Sequence, residues 1–167
     1  MFLKVHKFKI LMALLVMPFM AFAQPAGWDV PGSGSILTHT IVIPDGLPLE
    51  VAGVTVENGD WIGVFFYDGT DFVCGGNQEV GTPPNDNVIA YGEFGPNPGF
   101  TTGEAFTWKF YDTSEGVEYF TGAEYEPGPF GGNFSPGASS VLAALVTPDS
   151  PAHHCGLTLN ANLSSHS

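Results

Sequence analysis

The sequence contains no arginine and only four lysines, against 17 acidic side chains. Lys4, Lys7 and Lys9 stand at the extreme N-terminus, so Lys109 is the sole Lys or Arg of the remaining chain. A chain this poor in cations cannot neutralise phosphates, which supply most nucleic-acid affinity. It is also repelled by anionic membrane surfaces. Nucleic acid and anionic lipid are therefore excluded as partners. Cysteine is scarce as well. Cys74 and Cys155 allow a single pairing, which an exported compartment would permit, although Cys74 beside Phe72 and Val73 also reads as a small buried apolar residue. Helix signals are nearly missing: the only helix-compatible run of any length past the leader, Ala138 to Val146, is equally compatible with a buried strand. No Gly-x-Ser-x-Gly elbow is present, which removes the commonest serine-hydrolase signature.

What is present begins with a leader. Lys4, Lys7 and Lys9 form a charged region, Ile10 to Phe22 an apolar run, and Ala21, Phe22 and Ala23 a small-x-small cleavage pattern. The run is shorter than the roughly 20 apolar residues that span a bilayer, and Pro18 interrupts it. We read residues 1–23 as a signal peptide cut between Ala23 and Gln24. No cysteine follows the cut to carry a lipoprotein anchor, and no later run is long and apolar enough to insert in a membrane. Secretion, to the medium or the cell surface, is the expected localisation. Removing the leader leaves one lysine against 17 acids, a formal charge of −16. Such acidity keeps a protein soluble in a saline exterior and leaves cations, glycans or other proteins as partners.

Residues 24–147 read as one domain, and residues 148–167 as a tail that is disordered or truncated. The domain is rich in glycine, proline and aromatics, a mixture suited to short strands and tight turns. The expected strands are Ile36 to Ile43, Leu49 to Val56 broken at Gly53, Trp61 to Tyr67, Asp71 to Cys74, Asn87 to Tyr91, Glu104 to Asp112, Val117 to Glu126 and Ser139 to Val146. Asn58-Gly59 and Asp68-Gly69 are hairpin-type turns. Trp61 to Tyr67 is apolar on both faces, as a central strand is. Along Glu104 to Asp112, Phe106, Trp108 and Phe110 share one face and Thr107 and Lys109 the other, which puts the lone cation on a polar face among carboxylates. Seven or eight short strands predict an all-β fold, an antiparallel sandwich of immunoglobulin or jelly-roll type, with a small barrel as runner-up. Segments 75–86, 94–103 and 127–137 are expected loops.

Several short motifs recur in order: Trp28, then His39-Thr40-Ile41, Gly59 to Phe65, Cys74-Gly75-Gly76, Ile89-Ala90-Tyr91-Gly92 and Gly103 to Lys109. Together, over roughly Trp28 to Val146, they resemble a β-rich accessory module of secreted multidomain proteins from Bacteroidetes-type bacteria. The resemblance implies a secreted, non-catalytic unit, often followed by a C-terminal type IX sorting domain. That domain is absent after Val146, so the chain is expected to be a truncated product or one part of a larger protein. No catalytic residues carry over from the resemblance. Physically, Asp60 can bond its own turn, and Gly63 lets a ring or strand lie close.

Three site chemistries are compatible with particular residues. Asp60, Asp68 and Asp71 are the candidate calcium ligands, around the Asp68-Gly-Thr-Asp71 turn, though calcium needs six to eight oxygens. No other cofactor is expected. Phe94, Phe100, Tyr125, Phe130 and Phe134, placed in or beside loops, are the candidate rings for stacking on a glycan, with core plugging as the plainer reading. His153, His154 and Cys155 could meet a metal, but without a second cluster they rarely make a structural zinc site. Glu115 and Glu118 illustrate the carboxylate pair a glycosidase would use. The expectation is a secreted non-enzymatic module that is adhesive, ligand-binding or structural. A carbohydrate-binding module or a small carbohydrate-active hydrolase is the alternative.

Overall fold

A computed structural model describes residues 23–47, 49–81 and 87–147. The leader, the cleavage pattern up to Phe22 and the tail with His153, His154 and Cys155 lie outside the described residues, as does the pairing of Cys74 with Cys155. No helix among the described residues is long and apolar enough to cross a membrane.

The described chain is all β, in nine strands: β1 (Thr38–Val42), β2 (Glu50–Val51), β3 (Val54–Thr55), β4 (Trp61–Tyr67), β5 (Phe72–Glu79), β6 (Asn87–Tyr91), β7 (Thr107–Asp112), β8 (Val117–Tyr125) and β9 (Ser139–Val146). Seven of them form one sheet in the order β5-β4-β7-β8-β9-β1-β6, and β2-β3 make a small separate hairpin. The two edge strands of the large sheet, β5 and β6, come against each other, so the sheet curls into a nearly closed barrel. The described strands thus favour the runner-up architecture: one curled sheet encloses the core instead of two stacked sheets. The expectation of purely antiparallel pairing also needs correction. β1 lies parallel to β9, with Thr40 opposite Ser139, while every other pair in the large sheet is antiparallel.

Alternation builds the interior. Ile62, Val64 and Phe66 of β4 point inward with Trp108 and Phe110 of β7, and they meet Ile41, Val88, Ala90 and Leu142 from the far wall. One end of this core is plugged by rings from the loops. Phe100 and Phe134 stack with centroids 5.6 Å apart and planes at 14°, and Phe106 meets Phe100 edge-on at 5.1 Å. The interior is filled by side chains, as small barrels are.

Two turn expectations fare differently. Asp68-Gly69 does join paired strands: Asp68 N–H donates to the Asp71 carbonyl, and Tyr67 faces Phe72. Asn58-Gly59 does not. Asp60 N–H closes the turn onto the Glu57 carbonyl, and Gly59 takes φ of 95°, but the flanking β3 and β4 do not pair with each other. Only one residue of this turn has positive φ, whereas the hairpin type expected for Asn-Gly needs two. Gly75-Gly76, expected to open a loop after a strand ending at Cys74, is strand: β5 runs on to Glu79. The reason is a bulge. Val64 pairs with Gly76 and Phe65 with Cys74, so Gly75 is the extra residue. That shift turns Cys74 outward and Gly75 toward Phe100. A β-carbon on Gly75 would lie 2.3 Å from the Phe100 ring, and one on Gly76 would lie 2.1 Å from the Ile89 carbonyl oxygen of β6. Both glycines are what the narrow seam between β5 and β6 requires.

A second, smaller core lies outside the barrel. The outward faces of β4, β5, β7 and β8 are partly covered by the N-terminal strap, whose Trp28 is 1% exposed and packs with Phe65 and Cys74. Gly63 makes this possible, because a β-carbon there would stand 3.0 Å from the Trp28 ring. Trp28 Nε1 donates to Glu118 at 2.7 Å, and the Asn77 side-chain amide donates to the Trp28 carbonyl at 2.7 Å. Lys109 belongs to this outer layer. Its ammonium bonds Glu118 at 2.9 Å and lies 4.4 Å from the Phe65 ring centroid and 4.8 Å from that of Phe120. Lys109, the one Lys or Arg among the described residues, is therefore not on an open polar face. Its side chain is only 11% exposed, held between two rings against one carboxylate.

Candidate functional site

The structure disperses the residues chosen for calcium. Asp60 precedes β4 and Asp68 follows it, so seven extended residues, roughly 20 Å, separate them. Each carboxylate is bonded to nearby backbone. Asp60 Oδ2 accepts from Glu57 N–H at 2.8 Å, and Oδ1 accepts from Thr113 N–H at 2.9 Å. Asp68 Oδ1 accepts from the N–H groups of Thr70 and Asp71, and Asp71 Oδ1 from Phe72 N–H. The hydrogen bonds from Asp71 and Thr70 hold the Asp68 carboxyl below the usual range. Among the described residues no three His, Cys, Asp or Glu side chains converge as metal ligands. These aspartates are turn-builders in this geometry.

The five loop rings separate into two kinds. Phe100 and Phe134, each 1% exposed, are core plugs, the plainer of the two readings, and their candidacy as glycan-stacking rings is corrected here. Tyr125 packs against the core, and its hydroxyl accepts the Trp108 indole N–H at 2.7 Å. Burial pushes its phenol well above the ordinary tyrosine range. Phe94 and Phe130 do reach solvent, at 46% and 39% exposure, but they share no ring contact with each other. Phe130 instead lies edge-on to His39, 6.4 Å away.

His39 is fully buried at the plugged end of the barrel. Its Nδ1 accepts from Ser135 N–H at 3.1 Å, so the proton of the neutral ring sits on Nε2. Nε2 then donates to Ser140 Oγ at 2.9 Å, and that hydroxyl donates onward to the Gly131 carbonyl at 2.6 Å. The pair resembles a serine–histidine dyad in distance only. The histidine nitrogen facing Ser140 carries a proton and cannot take another, so the relay pins the 131–135 loop instead of activating a nucleophile. Burial lowers the His39 pKa, partly opposed by the Ser135 hydrogen bond. A folded-state pKa depressed below about 6.5 means the unfolded chain binds the extra proton first. We therefore expect His39's contribution to be fully present above about pH 6.5 and to decline as pH falls below that value. Urea midpoints measured from pH 8 to pH 5 should decrease, and His39→Gln should flatten that trend. An unchanged slope in the variant would show that other groups set it. Asp68 and Asp112, also held down, act in a separate window below their ordinary value of 3.8.

An acidic cavity of about 530 Å³ opens beside the β2–β3 hairpin, lined by Glu57, Asp60, Asp112 and Glu115 with Ser114 and Tyr119. The turns on its two sides are tied together: Thr113 donates its N–H to Asp60 and its hydroxyl to the Gly59 carbonyl. Asp112 Oδ1 accepts from the Ser114 hydroxyl, Glu115 N–H and Ser114 N–H, and the first two of these bonds do most to hold its carboxyl down. A lowered pKa does not suit a glycosidase's general acid, although it would suit the ionised partner of such a pair. The expected Glu115–Glu118 pair does not assemble either. Glu115 lines this cavity, whereas Glu118 faces the outer layer, with one oxygen on Lys109 and the other on Trp28. Cys74 is no nucleophile, since burial raises its thiol pKa and keeps it protonated.

The feature that loop-centred reasoning missed is on strands. Tyr67 and Phe120 are 56% and 49% exposed, and Phe72 joins them, 5.5 Å from Tyr67 and 5.8 Å from Phe120 between centroids. The three rings form a strip on the part of the outer face not covered by Trp28. The signal was available in the sequence: two-residue alternation puts Phe120 on the same face as Glu118, an aromatic ring on a polar face. No protein-family model, curated protein or solved structure matches this chain.

Proposed function

We propose that the mature chain is a secreted, non-enzymatic binding module, one unit of an extracellular or cell-surface protein. The observation that carries this reading is the strip of contacting rings Tyr67–Phe72–Phe120, exposed at Tyr67 and Phe120 and half-buried at Phe72, on a barrel whose interior is filled. Contiguous apolar groups left in water on an otherwise very acidic protein mark a contact surface. The leader supports export, and the motif order Trp28 to Lys109 supports an accessory module of the Bacteroidetes type. The commitment of Asp60 and Glu118 to structural hydrogen bonds speaks against the hydrolase alternative. The test is incubation of the mature chain with neutral polysaccharides, assaying both retention and release of reducing ends. Retention without release is the expected result. Release of reducing ends that disappears in Asp112→Asn would replace the module with a hydrolase.

A further inference from the structure

We infer that the strip Tyr67–Phe72–Phe120 is a stacking site for a neutral glycan; this deepens the binding-module reading and rests on it. The three rings project outward from β4, β5 and β8; Phe72 sits between the other two, and the underside of Phe120 is held. Lys109 lies beneath Phe120 and beside Phe65, and Glu118 holds the ammonium in place. Rings immobilised before binding lose little freedom on contact, which favours affinity. A pyranose ring offers an apolar face of polarised C–H groups, the complement of the electron-rich face of an aromatic ring. It also brings hydroxyl donors. Glu118, 37% exposed at its side chain, stands beside Phe120 on the same face and has acceptor capacity beyond its bonds to Lys109 and Trp28.

Size and charge narrow the occupant. With a ring side chain offering about 150–250 Å², the exposed parts of the strip amount to roughly 200–300 Å². A stable protein interface takes about 800 Å² from each partner. A few sugar units match the strip by itself, whereas a folded protein or a second copy would have to bury it as the centre of a surface several times larger. The charge of −16 repels uronates and sulfated sugars and leaves neutral ones.

Calorimetry of the mature chain with cellohexaose, laminarihexaose, mannohexaose and chitohexaose, with heparin and polygalacturonate as acidic comparisons, tests the assignment. At least one neutral hexasaccharide should bind and the acidic polymers should not. Tyr67→Ala and Phe120→Ala should each weaken binding by at least about tenfold, while Phe94→Ala leaves it unchanged. Phe120→Leu retains apolar bulk without a ring, so it should also lose affinity in a fold that melts normally. Binding to none of the four, binding that survives the strip substitutions, or preference for an acidic polymer overturns the assignment. So does concentration-dependent self-association that Phe120→Ala abolishes in the absence of glycan binding. The two readings fail separately. Glycan bound at the strip but cleaved would contradict the non-enzymatic reading alone, whereas glycan bound elsewhere would contradict the strip alone.

Discussion

Gly76→Ala is expected to destabilise the domain by about 3 kcal/mol or more, at the upper end of what overpacking costs. The added methyl would meet not a flexible side chain but the β6 backbone: the Ile89 carbonyl oxygen at 2.1 Å, its carbon at 2.8 Å and the Ala90 Cα at 3.1 Å. Relief requires β5 and β6 to separate where the curled sheet brings its edges together. Gly75→Ala should cost less, because its clash is with the Phe100 ring, although that ring is itself stacked on Phe134. Gly128→Ala is the control, since the nearest atom to a β-carbon there is 3.8 Å away. Urea unfolding followed by tryptophan fluorescence reads the difference. A Gly76→Ala protein with the wild-type midpoint would mean that the seam is not closed as described.

The second large effect is Trp28→Ala, expected to cost about 3–5 kcal/mol, the usual loss for a fully buried aromatic. Trp28 is the centre of the outer core, with edge contacts to Phe65 at 5.1 Å and Tyr111 at 6.4 Å. Its removal also deletes the indole bond to Glu118, leaving the Asn77 amide on the residue-28 carbonyl as a polar tie of the strap. A specific readout accompanies the stability loss. Cys74 is buried beneath this layer, so its reaction with a thiol reagent under native conditions should accelerate well beyond the wild-type rate. Unchanged labelling together with unchanged stability would show that the strap does not cover the sheet in solution.

Much of the fold was legible because it rests on short-range rules. β4, β6 and β9 fall on the expected residues, since turn residues bound them and their apolar content leaves little choice. The inward set Trp108 and Phe110 follows from alternation alone, with Phe106 packed beside it. What failed was set mostly by distant contacts. The parallel register of β1 against β9 and the curl that brings β5 to β6 depend on residues far apart in sequence, whereas the bulge that keeps Gly75 and Gly76 in a strand is local to the β4–β5 hairpin and was masked by the glycines' loop-like composition. The site was less legible than the fold. Loop aromatics look exposed by position, yet Phe100 and Phe134 fold back as plugs, because a barrel needs its ends filled. Strand aromatics look like core by habit, yet Tyr67 and Phe120 face water. Lys109 was placed on the correct face, but the rings that enclose it come from β4 and β8 and could be found only once the strands were paired.

The most direct test of the account is an amide chemical-shift map of the labelled mature chain titrated with the best-binding neutral hexasaccharide. The account predicts shifts confined to Tyr67, Phe72, Phe120 and their strand neighbours, with Thr55, Asp60 and Ser114 at the acidic cavity unmoved. Shifts concentrated at Asp60, Asp112 and Glu115 instead, with the strip silent, would contradict it and turn attention back to the carboxylates.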